Sequence, residues 1–451
     1  MIGTSLSRWT MSYFATALVA LVAAECLMTA GYGFPAAPIE APETLVLVHL
    51  VALGWLSLLM SGALLQFVPV LVARPLFSER LPLPALFCLV TGLAALLVGF
   101  LQLGGQVAPE FPFLPAGGIL LGVGFALNLW NLVRTLWPAR PLALPARFVA
   151  VGLISAAATT ILGIVFALVL AGVTSTPHLL QVTAAGVPVH AIAGLGGWLT
   201  FGAIGVSYRL LAMFMLAPEL DGPRTHATFW LGTGALAIAI LAGTVAACLG
   251  WDRHLALVAS TAFGAAAIAC YGFDIVNLYR ARKRRVVELN TRMAGFALAS
   301  LAAAALLIVV TATVGRLPQH AGAIAYLTAF GWLTGLGLAQ LYKIVPFLTW
   351  LECYGPVLGK RPTPRVQDLV AEARAAKWFW LYFGAVWVGT GSLLADAPFV
   401  FRIAAAATAA ATVGIVVELV RARRLADVNA SVRLPEGACR PRLLLSASQH
   451  A

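Results

Sequence analysis

The chain has 451 residues and a formal net charge of +12, and 61% of its residues are hydrophobic while only 10% are charged. Its mean hydropathy of +0.93 excludes a water-soluble globular protein, because a core of this size cannot hide so much apolar surface. The positive charge does not indicate a nucleic-acid partner, because the basic residues lie in short loops beside apolar runs, as in membrane proteins.

Apolar runs of membrane-spanning length recur along the whole chain. Each is long enough to cross the roughly 30 Å of hydrocarbon in a bilayer. The sequence therefore predicts an all-α polytopic protein with the lipid bilayer as its surroundings. We expect about twelve transmembrane helices, at about 11–33, 44–72, 82–103, 112–136, 147–174, 187–215, 226–250, 254–280, 292–315, 321–350, 376–395 and 398–420.

The loops between these runs differ in charge from one side of the membrane to the other. Every second loop is rich in arginine and lysine, and the largest cluster spans residues 280–285, whereas the intervening loops, which hold Glu40, Glu43 and Glu110, are nearly free of lysine and arginine. The positive-inside rule then places both termini in the cytoplasm of a bacterial-type inner membrane. We expect a single membrane domain over residues 1–430 and a disordered cytoplasmic tail over 431–451.

A four-residue phrase, GWL[ST], occurs three times, beginning at Gly54, Gly197 and Gly331. It falls on the second, sixth and tenth predicted helices, so the chain divides into three pseudo-repeated blocks of four helices, at about 1–140, 141–285 and 286–425. Small residues allow transmembrane helices to approach closely, and tryptophan fills volume. We therefore interpret the phrase as a packing signature that is repeated because the fold repeats.

Two histidines lie inside apolar runs, upstream of the first two phrases. His49 is six residues before Trp55 and His190 is eight residues before Trp198, whereas Tyr326 stands at the corresponding place in the third run. Ionisable groups at membrane depth usually face a cavity, a partner or a cofactor. A neutral imidazole binds iron or copper through one nitrogen, so His49 and His190 are candidate metal ligands and Tyr326 is a candidate third contributor.

The chain, with its three four-helix blocks, resembles the catalytic subunit of haem–copper oxidases and nitric oxide reductases. The sequences that carry the resemblance are HLVALGWL, HAIAGLGGWL and YLTAFGWL. The resemblance covers nearly the whole chain in helix count and repeat. It implies three arcs of helices around pores that hold haem and copper. It also implies that His49 matches the low-spin haem ligand of helix 2 and that His190 matches a copper ligand of helix 6.

The chain departs from this family at its other ligand positions. The tenth run, AYLTAFGWL, contains no histidine, and the seventh offers only His226 where the family carries a histidine pair. Respiratory oxygen reduction therefore does not fit, and any enzymatic activity is oxidoreductase-like at most. The resemblance instead predicts one haem or copper near the periplasmic side, a role in redox, nitric oxide or cofactor handling, and an electron-transfer or other membrane partner.

Two further functions remain open from the sequence. A secondary transporter also fits twelve helices, glycine-rich spans and polar groups at depth, such as Glu25 and Arg209. A structural subunit without a cofactor would retain the packing phrases alone.

Overall fold

The computed structural model describes residues 9–108 and 110–441. These residues form helices and loops, with no β-strand among them. Within the described ranges, eleven helices are long and apolar enough to cross a membrane. The predicted polytopic, helical membrane architecture is therefore confirmed.

The long helices are labelled α1 to α12 in chain order. Their bounds are Thr10–Ala30, Pro42–Leu71, Pro82–Leu103, Phe113–Leu136, Leu144–Leu170, Val187–Met215, Pro223–Leu249, His254–Arg280, Leu289–Thr313, Leu317–Val357, Glu372–Leu394 and Pro398–Arg423. A short helix, Pro177–Ala185, precedes α6.

The helix α11 is the exception to the expected twelve apolar spans. It has 23 residues, but Lys377 and the tryptophans Trp378, Trp380 and Trp387 make it less apolar than the other eleven. It still packs along α12 within the bundle. The chain thus has eleven strongly apolar spans in its described part, together with one aromatic-rich helix.

Helix pairing follows the order of the chain. Extensive contacts join α3 to α4, α7 to α8 and α11 to α12, and α1, α5 and α9 likewise pack along the helix that follows them. The first helix also packs along the last, α12. The bundle therefore closes on itself, with α2, α6 and α10 meeting in its interior.

Each of these three interior helices widens into a π-helical segment at its GWL[ST] phrase. The segments are Leu50–Ser57, Ile192–Phe201 and Leu327–Thr334. A further π-helical turn, Ile238–Ala242, lies in α7 without the phrase. Single-turn π-bulges are rare and are found frequently at functional sites.

The three tryptophans of the phrase are buried and hydrogen-bonded to one another's motifs. Each indole N–H donates to the hydroxyl that ends another copy of the phrase: Trp55 Nε1 to Thr334 Oγ1 at 2.8 Å, Trp332 Nε1 to Thr200 Oγ1 at 3.3 Å, and Trp198 Nε1 to Ser57 Oγ at 3.1 Å. These three bonds form a closed loop, which we name the tryptophan cycle. It satisfies three indole donors that would otherwise be unpaired in an apolar interior.

The glycine of each phrase lies against a small residue on the preceding helix. A Cβ added at the glycine would come within 3.0 Å of that neighbour's Cβ in every case: Ala20 for Gly54 at 2.9 Å, Ser155 for Gly197 at 2.4 Å, and Ser300 for Gly331 at 2.9 Å. No ordinary side chain fits there without movement. The interpretation of the phrase as a packing signature therefore has a direct structural basis.

An ion cluster joins α11 and α12 at the end of the bundle that carries residues 280–285 and 421–427, here named the basic face. The Arg374 guanidinium donates two hydrogen bonds to Glu418, at 2.6 and 2.7 Å, and two to Asp427, at 2.7 and 3.4 Å. Arg421 also donates to Asp427 at 2.7 Å. Burial opposes ionisation of Asp427, but the hydrogen bonds from Arg421 and Arg374 outweigh it and hold the pKa of this carboxyl below its usual range.

This cluster gives the fold a dependence on pH. Because the pKa of Asp427 is lower in the folded than in the unfolded chain, its ionised form stabilises the fold above the unfolded value of about 4, and this contribution is lost as the pH falls through the folded value. We expect Asp427→Asn to lower the thermal unfolding temperature at neutral pH and to have a shrinking effect below about pH 4. Unfolding in detergent across this range, with Asp396→Asn as control, measures the difference; an equal loss at every pH would contradict it.

The segment that follows α12 lies against the basic face as far as it is described. The Tyr354 hydroxyl donates to the Arg433 carbonyl oxygen at 2.7 Å, and the Cys439 N–H donates to the Cys353 carbonyl oxygen at 3.2 Å. Within the predicted disordered tail, 431–451, Arg433 and Cys439 are thus hydrogen-bonded to the end of α10. The last part of the tail, 442–451, lies outside the described residues.

Candidate metal centre

His49 precedes the π-helical segment of α2 and is held by a backbone acceptor. Its Nδ1 lies 2.8 Å from the carbonyl oxygen of Leu45, one helical turn earlier. Because a carbonyl only accepts, Nδ1 carries the hydrogen and Nε2 keeps its lone pair. An imidazole fixed in this way through one nitrogen is arranged to bind a metal through the other.

His190 precedes the π-helical segment of α6 and approaches His49 from the neighbouring helix. Its Nδ1 is buried and has no hydrogen-bond partner in the part of the chain that the structure describes. A buried polar atom without a partner is costly, and such atoms occur where a ligand, a metal or a water completes the site.

The two rings form a pair. Their centroids are 6.5 Å apart and their planes are inclined by 33°. Two imidazole nitrogens that share one metal at about 2.0–2.1 Å each bring their ring centroids to roughly 6 Å. The observed separation therefore fits a metal ion bound between His49 and His190.

Apolar groups flank the pair. Phe100 of α3 lies 4.9 Å from the His49 ring and Phe166 of α5 lies 5.4 Å from the His190 ring, between centroids. Gly163 of α5 faces His190, since a Cβ at this position would lie 3.3 Å from His190 Cε1. Apolar surroundings of this kind limit access of water to a bound metal and lower the local dielectric constant.

We expect Gly163→Leu to push the His190 ring out of line with His49 and to lower metal affinity about 10-fold, as changes outside the ligands commonly do. Gly384→Leu is the matched control, because it adds the same side chain to a helical glycine with nothing within 4 Å of its added Cβ. Metal affinity of the two purified variants checks this expectation, and equal affinities would contradict it.

Tyr326 lies in a different environment from the two histidines. Its ring stacks on Phe330 at 4.9 Å and meets Phe401 of α12 edge-on at 5.3 Å, and its hydroxyl lies against Gly389 of α11, where an added Cβ would be 2.8 Å away. This hydroxyl is buried and unpartnered in the described ranges. The structure therefore brings His49 and His190 together and leaves Tyr326 between α10, α11 and α12.

Glu25 and Arg209, the polar residues noted at membrane depth, and Lys343 are each bonded to residues other than the two histidines. Arg209 pairs with Glu219, and Lys343 Nζ lies 2.6 Å from Glu288 Oε2. Glu25 is fully buried in α1 and accepts a hydrogen bond from Thr412 of α12 at 2.8 Å on one oxygen, while its other oxygen has no partner among the described residues.

Several residues of this region carried no signal in the sequence. Phe100, Phe166 and Gly163 are ordinary residues of apolar runs, and only the fold brings them to the histidines. Among the described residues no cluster of three or more His, Cys, Asp or Glu could hold a metal. The histidine pair therefore offers two side-chain nitrogens as candidate ligands.

No protein-family model matches the chain, and no curated protein matches it.

Proposed function

We propose that this chain is an inner-membrane protein that binds one metal centre between His49 and His190, in a bundle related to the catalytic subunit of haem–copper oxidases. The observation that carries the proposal is the approach of the two imidazole rings to 6.5 Å from separate helices. The Leu45 carbonyl orients His49 from behind, and the buried, unpartnered nitrogen of His190 is consistent with a missing ligand.

A three-block architecture is part of the same proposal. Each set of four helices contributes one tryptophan and one hydroxyl to the tryptophan cycle, one glycine contact, and the same pattern of helix pairing. These features support an arrangement of three related blocks around one axis, with α2, α6 and α10 innermost. Both termini and the basic face would then lie in the cytoplasm, and the histidine pair near the periplasmic side.

A copper ion is the metal that the surroundings favour. Imidazole is a good copper ligand, and two imidazole nitrogens are sufficient to coordinate one copper(I) ion. A haem would additionally require polar or cationic donors for its propionates, whereas the groups next to this pair are Phe100, Phe166 and Gly163. When bound, copper would supply one-electron chemistry, while the chain orients the imidazoles and keeps water away, as suits a role in redox, nitric oxide or cofactor handling.

Metal analysis and an optical spectrum of the purified protein test the proposal. Protein from cells supplied with copper and haem is expected to hold about one copper per chain, which His49→Ala removes. A Soret band that His49→Ala abolishes would assign the pair to haem iron instead. A colourless, metal-free preparation would overturn the proposal.

A secondary transporter is the second candidate, and Glu25 is the observation that favours it. A carboxyl group that is fully buried between α1 and α12, with one oxygen unpartnered in the described part of the chain, is a possible carrier of a proton or cation. Uptake of solute into proteoliposomes that Glu25→Gln abolishes and His49→Ala leaves intact would favour this function over a metal centre.

A further inference from the structure

A groove runs along the outer surface of the bundle between α8 and α9. It has a volume of about 430 Å³ and is lined mainly by apolar side chains, including Ile268, Ile275 and Leu298. Two glycines leave it open, because a Cβ at Gly272 would meet nothing within 4 Å and one at Gly295 only the Tyr279 ring, no closer than 3.5 Å. The groove is therefore a concave apolar surface and not a gap filled by neighbouring side chains.

The groove lies on the part of the protein that faces lipid. On α8, the neighbouring Phe273 is 63% exposed and Val276 is 45% exposed. Ile268 and Arg280, which both line the groove, are twelve positions apart, or about 18 Å along a helix. This length is close to half of the roughly 30 Å of hydrocarbon in a bilayer, so the groove spans about one leaflet.

One end of the groove is positively charged. Arg280 and Arg282 line it at the basic face, and Lys283 and Arg285 follow directly. Arg284 forms an ion pair with Glu288. Within residues 9–108 and 110–441, neither Arg280 nor Arg282 forms an ion pair. Arg282 donates one hydrogen bond to the Tyr279 carbonyl oxygen at 2.6 Å, but both side chains are exposed and keep further N–H groups for an anion at the membrane surface.

We infer that this groove binds an anionic phospholipid, with an acyl chain between α8 and α9 and the phosphate at Arg280 and Arg282. Basic pockets between transmembrane helices on the cytoplasmic side are suited to anionic headgroups, and the apolar groove receives the chain that a soluble phosphate lacks. The site is independent of the histidine pair, which lies toward the opposite end of the bundle.

Native mass spectrometry of the purified, full-length protein tests this inference, with phosphatidylglycerol and phosphatidylcholine of identical acyl chains as probes. We expect wild-type protein to retain phosphatidylglycerol preferentially. Each lost cation near the membrane surface corresponds to about 5-fold in affinity, so Arg280→Gln/Arg282→Gln should weaken phosphatidylglycerol binding about 25-fold and leave phosphatidylcholine unchanged. Gly272→Leu, which fills the groove, should weaken both lipids.

The control is Arg74→Gln/Arg80→Gln, which removes two arginines from another loop predicted on the same side. It should retain phosphatidylglycerol as wild type does, and all variants should keep the wild-type metal content and unfolding temperature. Equal loss in the control and in Arg280→Gln/Arg282→Gln would overturn the inference, as would equal retention of the two lipids by wild type. A dimer that Gly272→Leu dissociates would show that a second copy covers the groove, and would also overturn it.

Discussion

Replacing either histidine of the pair should cost at least 100-fold in copper(I) affinity. His49→Ala and His190→Ala each remove one of two protein ligands, and such a loss exceeds the 10- to 100-fold typical of changes outside the ligand set. The remaining imidazole would hold the ion alone in an apolar pocket beside Phe100 or Phe166. Anaerobic competition with a copper(I) chelator measures both affinities.

His178→Ala is the matched control for this experiment. His178 lies in the short helix that precedes α6, and its side chain is exposed, with Nδ1 3.2 Å from the Cys248 carbonyl oxygen. Its replacement should leave the affinity unchanged. If His49→Ala and His190→Ala bind copper(I) as tightly as His178→Ala does, the pair is not the metal centre.

The second large effect is expected from the tryptophan cycle. Trp55→Ala removes a fully buried indole and leaves the Thr334 hydroxyl without its donor. We expect it to lower the free energy of unfolding by about 4 kcal/mol, because burial of a large aromatic side chain and one buried hydrogen bond are both lost. Unfolding in detergent measures this change.

Two further variants separate packing from hydrogen bonding in the cycle. Trp251→Ala removes the one other tryptophan that follows a glycine; it is 64% exposed and should have little effect. Trp55→Phe and Thr334→Val, alone and combined, isolate the bond, and a double-mutant cycle should give a coupling of about 1 kcal/mol. Additive effects of the two replacements would show that the bond contributes nothing.

The sequence was sufficient to predict the helices and the importance of the repeated phrase. Apolar runs of spanning length are set by the bilayer and need no tertiary information. The bonds from Trp55, Trp198 and Trp332 were not predicted, although the serine or threonine that ends each phrase was visible. Neither π-helical backbone nor pairing between residues more than 130 positions apart can be read from local periodicity.

The candidate site was predicted in part. His49 and His190 are close in space, whereas Tyr326 is six residues before its tryptophan, as His49 is, and packs on Phe401. His190, by contrast, is eight residues before Trp198. The stretches between these residues and their tryptophans are π-helical, so the α-helical period does not predict that His190 meets His49 while Tyr326 packs on Phe401.

X-ray absorption at the copper edge is the measurement that tests the metal centre most directly. Wild-type protein loaded anaerobically with one equivalent of copper(I) should show two nitrogen ligands at about 2.0 Å with the outer scattering of two imidazole rings. The double variant His49→Ala/His190→Ala should bind no copper. Sulfur ligands in the wild-type spectrum, or the same spectrum from the double variant, would contradict the assignment of the metal to this pair.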